Sequence, residues 1–208
     1  MLLRMKTLKR NKGENMEKIY FKLKRIDKET PSTFVKSKIL GSPVFPMDYF
    51  NKHNLDDKYF VMQINLEELT KYKKDHLLPK VGYLYLFLDV ASYPFKPVVL
   101  YTNDEVECVY DDINENFLEY GDYFGYELNF CDNDKFAHYI LGEIDLDMDL
   151  DCEIDTTGYV VLLQFDSLEL PNNVLQLGNY DGWYIFLIKE EDLKNHNFEN
   201  VIFLEYGS

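Results

Sequence analysis

Apolar runs of strand length recur along the chain and predict a mainly β protein. The clearest runs, at residues 159–166 and 182–188, are rich in β-branched and aromatic side chains. Residues 19–24 alternate between apolar and polar positions, which is the period of a half-buried strand. On these criteria the predicted strands cover residues 19–24, 59–64, 83–90, 159–166, 182–188 and 201–204.

The strongest pattern along the chain is a repeat at an offset of about 101 residues. Four pairs of segments match in order and character: residues 39–41 with 140–142, 62–65 with 163–166, 82–88 with 182–188, and 98–100 with 201–203. Self-similarity at one offset indicates internal repeats. We therefore predict two diverged copies of one β unit, at about residues 37–103 and 138–204.

Short helices are predicted at two places between the strands. Asn65 has a glutamate three residues later, which favours an N-cap and a helix through about Tyr72. Residues 190–194 have the composition of a short helical turn before the last strand. Helices of this length would be minor elements beside the strands.

Three other segments have weaker patterns. Residues 33–36 are expected to form another short strand, and residues 98–103 and 105–110 a hairpin. Residues 111–135 are acidic and aromatic, and we expect them to join the two copies over the surface.

The size of the chain allows one large domain or two small ones. The chain has 208 residues, of which 46% are hydrophobic and 16% aromatic, enough for a sizeable core. Residues 1–15 are expected to be a flexible basic extension, and residues 16–208 a single domain. The predicted fold class is α+β, a mainly antiparallel β-sheet with a few short helices, built as two internally duplicated halves in one compact body.

Charge is distributed unevenly. The net charge is −15, but residues 1–40 carry +8 and residues 41–208 carry −23. A body with this balance repels nucleic acid and anionic membranes. It either attracts a basic protein or a cation, or it is a solvated surface that aids solubility. No apolar run reaches the roughly 18–20 residues that a membrane-spanning helix needs. We therefore expect a basic protein partner, with neither nucleic acid nor a membrane involved.

The most regular polar feature is an acidic ladder in which carboxylates alternate with apolar residues over residues 143–155. Period two would place every carboxylate on one face of an extended segment. Its candidate partner-binding residues are Asp145, Asp147, Asp149 and Asp151. The alternatives are a solvated row that protects a sheet edge and a calcium site, although adjacent rungs are about 6.5–7 Å apart and could share an ion only where the strand bends.

Gln63, Gln164 and Trp183 are the candidate ligand-binding residues. The two glutamines interrupt apolar strands at equivalent places, and a buried amide must find hydrogen-bond partners. They serve either as structural bonds that join the repeats or as the lining of a ligand cleft between the copies. Trp183 is either a core aromatic residue or part of the same site.

Sequence motifs for catalysis are missing. The chain has no G-x-S-x-G, P-loop or G-x-G-x-x-G sequence, and its four histidines lack metal-ligand spacing. No catalytic residue, metal or cofactor is therefore predicted, which favours a non-enzymatic protein. The three cysteines form no C-x-x-C and indicate free thiols in a reducing, cytoplasmic setting.

A family resemblance rests on short segments spread over residues 19–203. They are Ser37-Lys38, Gly41, Pro43, Pro46, Gln63-Ile64-Asn65, Leu78-Pro79, Gly82, Leu141-Gly142, Asp147-Met148, Cys152, Leu163-Gln164-Phe165-Asp166, Gly178, Gly182, Phe186-Leu187-Ile188 and Asp192-Leu193. In order and spacing they resemble the YwqG-like family of uncharacterised bacterial proteins, a domain of unknown function. The resemblance implies a mainly β fold with internal duplication, and no established activity.

Two functions follow as hypotheses. The first is a non-enzymatic binding module whose acidic surface engages a protein partner, for example in an immunity or antitoxin role. The alternative is a small-molecule-binding protein or an enzyme, with its site in the cleft between the two halves.

Overall fold

Twelve strands and four short helices make up the described part of the chain. The computed structural model describes residues 16–73, 77–111, 113–120, 124–132, 138–144, 155–167 and 182–207. The strands are β1 (Ile19–Arg25), β2 (Lys38–Ile39), β3 (Val44–Phe45), β4 (Tyr59–Asn65), β5 (Tyr83–Asp89), β6 (Lys96–Thr102), β7 (Cys108–Val109), β8 (Tyr126–Cys131), β9 (Tyr139–Gly142), β10 (Tyr159–Asp166), β11 (Gly182–Lys189) and β12 (Ile202–Gly207). The helices are α1 (Pro31–Phe34), α2 (Tyr49–Lys52), α3 (Leu66–Tyr72) and α4 (Glu190–Lys194), with a 3-10 segment at Glu115–Tyr120.

Ten of these strands form one sheet in the order β12-β11-β10-β9-β1-β8-β2-β4-β5-β6. Every pairing in it is antiparallel, so the mainly antiparallel β prediction is confirmed. The outermost strands, β6 and β12, lie beside each other, which means that the sheet curls around its own interior. All ten strands contribute side chains to the largest buried cluster, from Phe21 on β1 to Phe203 on β12.

The two ends of this sheet have the same strand order. Strands β2, β4, β5 and β6 follow one another at one end, and β9, β10, β11 and β12 do so at the other, with β1 and β8 between. The first group belongs to residues 37–103 and the second lies almost wholly within residues 138–204. We call these groups the first half and the second half.

Local irregularities recur at equivalent places in the two halves. The register shifts between Phe60 and Met62 in the first half, and between Val161 and Leu163 in the second. Leu40 and Leu141 both have positive φ, at 55° and 59°, a conformation that few residues other than glycine adopt. These features share the offset of 101 residues that the apolar pattern shows.

Side-chain bonds at the ends of the long strands also correspond. The Asn65 backbone N–H donates to Ser37 Oγ at 2.9 Å, and the Asp166 backbone N–H donates to His138 Nδ1 at 3.2 Å. In each half, the residue directly before the short strand (β2 or β9) therefore accepts a hydrogen bond from the last residue of the neighbouring long strand (β4 or β10). His138 and Ser37 are both buried.

Both predicted helices form. Asn65 caps α3 by accepting from the Glu67 backbone N–H at 3.1 Å. Glu68 does not complete a capping box, because its carboxylate accepts from the Ser37 backbone N–H at 2.9 Å and pairs with Lys36. Residues 190–194 form α4 as expected.

The short strand expected at residues 33–36 is wrong. Pro31 starts α1, since proline is well placed in a first helical turn, and the Thr30 backbone N–H donates to Thr33 Oγ1 at 2.7 Å. Local capping therefore outweighs the β-branched composition of the segment.

The hairpin expected from residues 98–103 and 105–110 is also wrong. β6 pairs with β5, whereas β7 pairs with β3 in a separate two-stranded sheet. The Glu107 and Tyr110 backbone N–H groups donate to the carbonyls of Phe45 and Pro43 at 3.0 Å each. Contacts with a distant segment have taken the place of the local pairing.

The surface connection expected over residues 111–135 needs the same kind of correction. β8 lies in the middle of the large sheet, paired with β1 along six residues and with β2. Tyr126 and Leu128 are buried and belong to the core, and the other four residues of β8 are half-buried. β1 and β8 together are the structural link between the two halves.

No helix in the described ranges is long and apolar enough to cross a membrane. Cys108 and Cys131 are free thiols and are partly buried.

Candidate functional site

Gln63 lies fully buried on the outer face of the first half, and its amide is completely bonded. Gln63 Oε1 accepts from the Val44 backbone N–H at 2.9 Å. Its Nε2 donates to the carbonyls of Phe34 and Lys36 at 2.8 and 2.9 Å. The side chain therefore ties β4 to two chain segments that come before it.

Gln164 occupies the equivalent place in the second half but is bonded differently. Its Oε1 accepts from the Tyr139 hydroxyl at 2.7 Å, within the register pair of β9 and β10. Its Nε2 is buried and has no hydrogen-bond partner among the described residues. An amide left in this state costs free energy, on the order of 1–3 kcal/mol.

Trp183 lies near Gln164 but far along the sheet from Gln63. It is half-buried on β11 opposite Asp166 and packs against the outer apolar cluster of the second half. β4 and β10 are separated by four strands in the sheet order. The structure brings Gln164 and Trp183 to one face and leaves Gln63 on the corresponding face of the other half.

The four candidate partner-binding aspartates of the acidic ladder lie outside the described residues. Asp145, Asp147, Asp149 and Asp151 all belong to the range 145–154. Their role in partner binding stays a prediction from the sequence.

A concave site exists elsewhere, at the end of β1 and β8 beside the first half. This cleft has a volume of about 230 Å³. Four parts of the chain form it: the segment after β1, the segment after β2, the segment before β8, and residues 113–114. Its lining residues are Ile26, Asp27, Glu29, Gly41, Ser42, Ile113, Asn114, Phe124 and Gly125.

A buried lysine stands behind the Glu29 wall of the cleft. The Lys38 side chain is completely inaccessible, and its Nζ donates to the Ser42 carbonyl at 2.6 Å and to Glu29 Oε1 at 3.4 Å. Burial lowers the pKa of the Lys38 ammonium, and the Glu29 carboxylate partly offsets the fall. Glu29 Oε1 also accepts from the Ser42 backbone N–H at 3.1 Å, so this carboxylate is held in a fixed orientation.

Close backbone approach shapes the floor of the cleft. A Cβ on Gly41, where φ is +71°, would lie 2.7 Å from the Gly125 Cα and 2.8 Å from Glu29 Oε1. Only glycine fits here, because a larger residue would push the β2–β3 turn away from the start of β8. The Ile26 backbone N–H donates to the Gly125 carbonyl at 2.8 Å and closes the same corner.

Asn114 connects this corner to the first half. Its Oδ1 accepts from the Phe60 backbone N–H at 2.8 Å, and its Nδ2 donates to the Phe60 carbonyl at 2.7 Å. Phe60 flanks the register shift of β4, where the ladder cannot bond these groups regularly.

A second candidate surface covers the outer face of the first half. We call residues 43–58 and 103–111 the acidic cap; they contain seven carboxylates against two lysines, a net charge of −5. On the inner side of the cap, the Phe45 ring packs against Tyr85 and Phe87, with its centroid 4.7 Å from that of Tyr85 and 6.2 Å from that of Phe87. The apolar side of the cap is thus anchored, and its carboxylates are directed outward.

The cap is negative where it faces solvent. Burial and the charge of Asp104 raise the pKa of Tyr49 to about 12. Burial also raises the pKa of Tyr110, with contributions from Cys108 and two cap aspartates. Two apolar side chains stand exposed among the acids, Met47 at 64% and Val109 at 37%.

Sequence reasoning missed the cleft and the cap. Lys38 carries no signal of burial on its own, and its partner Glu29 lies outside either predicted repeat. The repeat itself held one usable sign, since Lys38 aligns with the aromatic Tyr139 at a position that is buried in both halves.

Among the residues that the structure covers, no group of three or more His, Cys, Asp or Glu side chains is arranged to hold a metal ion. The chain matches no protein-family model and no curated protein.

Proposed function

We propose that this protein is a non-enzymatic binding module whose acidic surface engages a basic protein partner, in an immunity- or antitoxin-like role. The observation that carries the proposal is the acidic cap, with its net charge of −5 and its exposed Met47 and Val109. Charge steers a partner of opposite sign, and exposed apolar side chains within a charged rim are typical of protein interfaces. The acidic ladder belongs to the same proposal on sequence grounds.

Ion pairing within the molecule does little to neutralise the cap. Over the described ranges, Asp48, Asp104, Glu105 and Glu107 form no ion pair, whereas Lys58 is shared by Asp57 and Asp89. These four carboxylates are exposed and available to a cationic surface. Such contacts lose strength at high salt, because exposed charges are screened over about 8–10 Å.

The test is affinity capture from the source cell at low and high salt, with three tagged variants. One variant removes cap charges (Asp104→Asn, Glu105→Gln, Glu107→Gln), and a second removes the ladder charges (Asp145→Asn, Asp147→Asn, Asp149→Asn, Asp151→Asn). A matched control neutralises exposed acids elsewhere (Glu67→Gln, Glu191→Gln, Glu199→Gln). We expect a basic partner that the control retains and that the cap or ladder variant loses. Recovery that ignores salt and all three variants contradicts the proposal.

We also propose that the two halves descend from one duplicated β unit and that residues 16–208 form a single YwqG-like domain. The common strand order, the equivalent register shifts and the positive φ of Leu40 and Leu141 support duplication. Detection of a homologue that contains one copy, or of relatives that link this chain to the family, tests the proposal.

A second candidate function is small-molecule binding, and the cleft favours it. Ligand sites are concave and combine apolar side chains with a few oriented polar groups, and the cleft beside Glu29 has both. Gln63 does not line this cleft, and its amide is hydrogen-bonded to backbone groups. Perturbation of cleft residues by a small ligand in NMR spectra tests this function.

A further inference from the structure

The chemistry of the cleft points to the kind of ligand it would hold. We propose that it binds a small organic cation, a primary ammonium group carried on a short hydrocarbon chain. This inference rests on the second candidate function, small-molecule binding, and specifies its ligand.

Size sets the first limit. The volume of about 230 Å³ is below the roughly 300–1,000 Å³ of drug-sized ligand pockets. At about 30 Å³ for each water molecule, a ligand that fills the cleft displaces about seven or eight waters. A nucleotide or a sugar chain is too large, whereas an amine with a few carbon atoms fits.

Charge sets the second limit. Asp27 and Glu29 line the cleft, and over the described residues Asp27 makes no ion pair. Glu29 receives the Lys38 ammonium and the Ser42 N–H on one oxygen, Oε1. Its Oε2 makes no hydrogen bond with the rest of the described chain, so a fixed carboxylate oxygen remains for an incoming donor.

The charged side chains among the described lining residues are both acidic, and two cations beside the cleft are bound by other groups. Lys38 is fully buried behind Glu29, with its ammonium held by the Ser42 carbonyl at 2.6 Å. The Arg25 guanidinium lies over the Phe124 ring, 4.5 Å from its centroid. An anionic ligand would therefore meet two carboxylates before it reached either cation.

The apolar wall completes the match. Ile26, Ile113 and Phe124 line the cleft beside the carboxylates, and Phe124 is 46% exposed. Covering these side chains with a short alkyl chain removes apolar surface from water, at about 25 cal/mol for each Å². A compact cation without carbon, such as ammonium, would forgo this gain.

The experiment is an NMR titration of the full chain at pH 7 with three probes of equal length: butylammonium, 1-butanol and butyrate. We expect butylammonium to shift the Ser42 and Gly125 amide signals to saturation in the millimolar range, and the other two probes to bind at least threefold more weakly. Asp27→Asn, an exposed substitution, should weaken butylammonium about two- to fivefold, the size of a surface ion pair. Glu199→Gln, a matched exposed control, should leave the affinity unchanged.

The outcomes separate the ligand class from the function. Equal or tighter binding of butanol or butyrate at these amides overturns the cationic class and leaves small-molecule binding standing. No shift at these amides with any of the three probes overturns both. Glu29→Gln should abolish the preference for the cation; if that variant fails to fold, Asp27→Asn still decides the question, and an unchanged affinity there contradicts the proposal.

Discussion

The outer faces of the two halves begin from the same strand arrangement and are completed in different ways. In the first half, the acidic cap covers Phe60, Tyr85 and Phe87, and Gln63 is bonded to three backbone groups. In the second half, over the residues that the structure describes, Gln164 has one hydrogen bond, and its buried Nε2 has none. Gln63 thus acts as a structural anchor, whereas the Nε2 of the equivalent Gln164 lacks a hydrogen-bond acceptor among the described residues.

In the first half, the segments before and after the short strand supply the partners of Gln63. β2 leads into a turn that returns as β3, which supplies the Val44 N–H, and α1 presents the carbonyl of Phe34. In the second half, Tyr139 takes the place of Lys38 and offers its own hydroxyl instead. Two groups of strands can therefore share one strand order while their equivalent polar residues make different hydrogen bonds.

Gln63→Leu tests the anchor and should have the largest effect. It leaves the Val44 N–H and the Phe34 and Lys36 carbonyls without their partner, at roughly 3–5 kcal/mol of unfolding free energy. Urea denaturation at pH 7 measures the loss, with Gln164→Leu as the matched control. A cost below that of the control would remove the distinction between the two halves.

Asn114→Ala should have the next largest effect, and it acts on the first half alone. The Phe60 N–H and carbonyl both lose a buried partner beside the register shift, at about 2–3 kcal/mol. Hydrogen exchange should show faster exchange at Phe60 and its neighbours while β10 and β11 keep their protection. Asn103→Ala, at an exposed position, serves as the control, and a uniform loss of protection in both halves would contradict local pinning.

The regular strands were predictable, because side-chain period depends only on local order. Residues 59–64 and 159–166 alternate or cluster their apolar residues strongly enough to fix both type and place. The capping role of Asn65 was likewise readable, since its partner lies two residues away.

The elements that position the candidate sites were not predictable in this way. β3 and β7 are two residues long, too short to show any period, and each is a strand only because the other faces it. The Glu29–Lys38 pair spans nine positions and the Asn114–Phe60 bonds span 54. The cleft and the cap are formed by tertiary contacts of this kind, and the local pattern of apolar and polar residues does not reveal such contacts.

Glu205→Gln tests a buried charge in the second half and should be stabilising. Glu205 lies on β12 with both carboxylate oxygens buried, and burial raises the pKa of this carboxyl, partly opposed by the Tyr93 hydroxyl. Because the folded form then binds a proton more readily than the unfolded chain, wild-type stability falls as pH rises from about 4.5 through the raised pKa.

The variant removes that penalty, so it should gain about 1 kcal/mol at pH 8 and progressively less as pH falls toward 5. Paired denaturation curves at the two pH values measure the gain. Glu191→Gln, an exposed carboxylate on α4, should show no such pH-dependent gain. A loss of stability at pH 8 would mean that the Glu205 carboxylate is well solvated or well paired.

Gln164→Leu should have the smallest effect, although it changes the residue that aligns with Gln63. The substitution removes the bond to Tyr139, which costs about 1 kcal/mol, and at the same time removes a buried amide nitrogen that has no partner in the described part of the chain. The two contributions oppose each other, so the change in unfolding free energy should stay within about 1 kcal/mol of zero. Tyr139→Phe alone should be more costly than Tyr139→Phe combined with Gln164→Leu, because alone it leaves both amide atoms of Gln164 without a partner among the described residues. A cost for Gln164→Leu that equals that of Gln63→Leu would show that both glutamines are anchors and that the halves differ only in appearance.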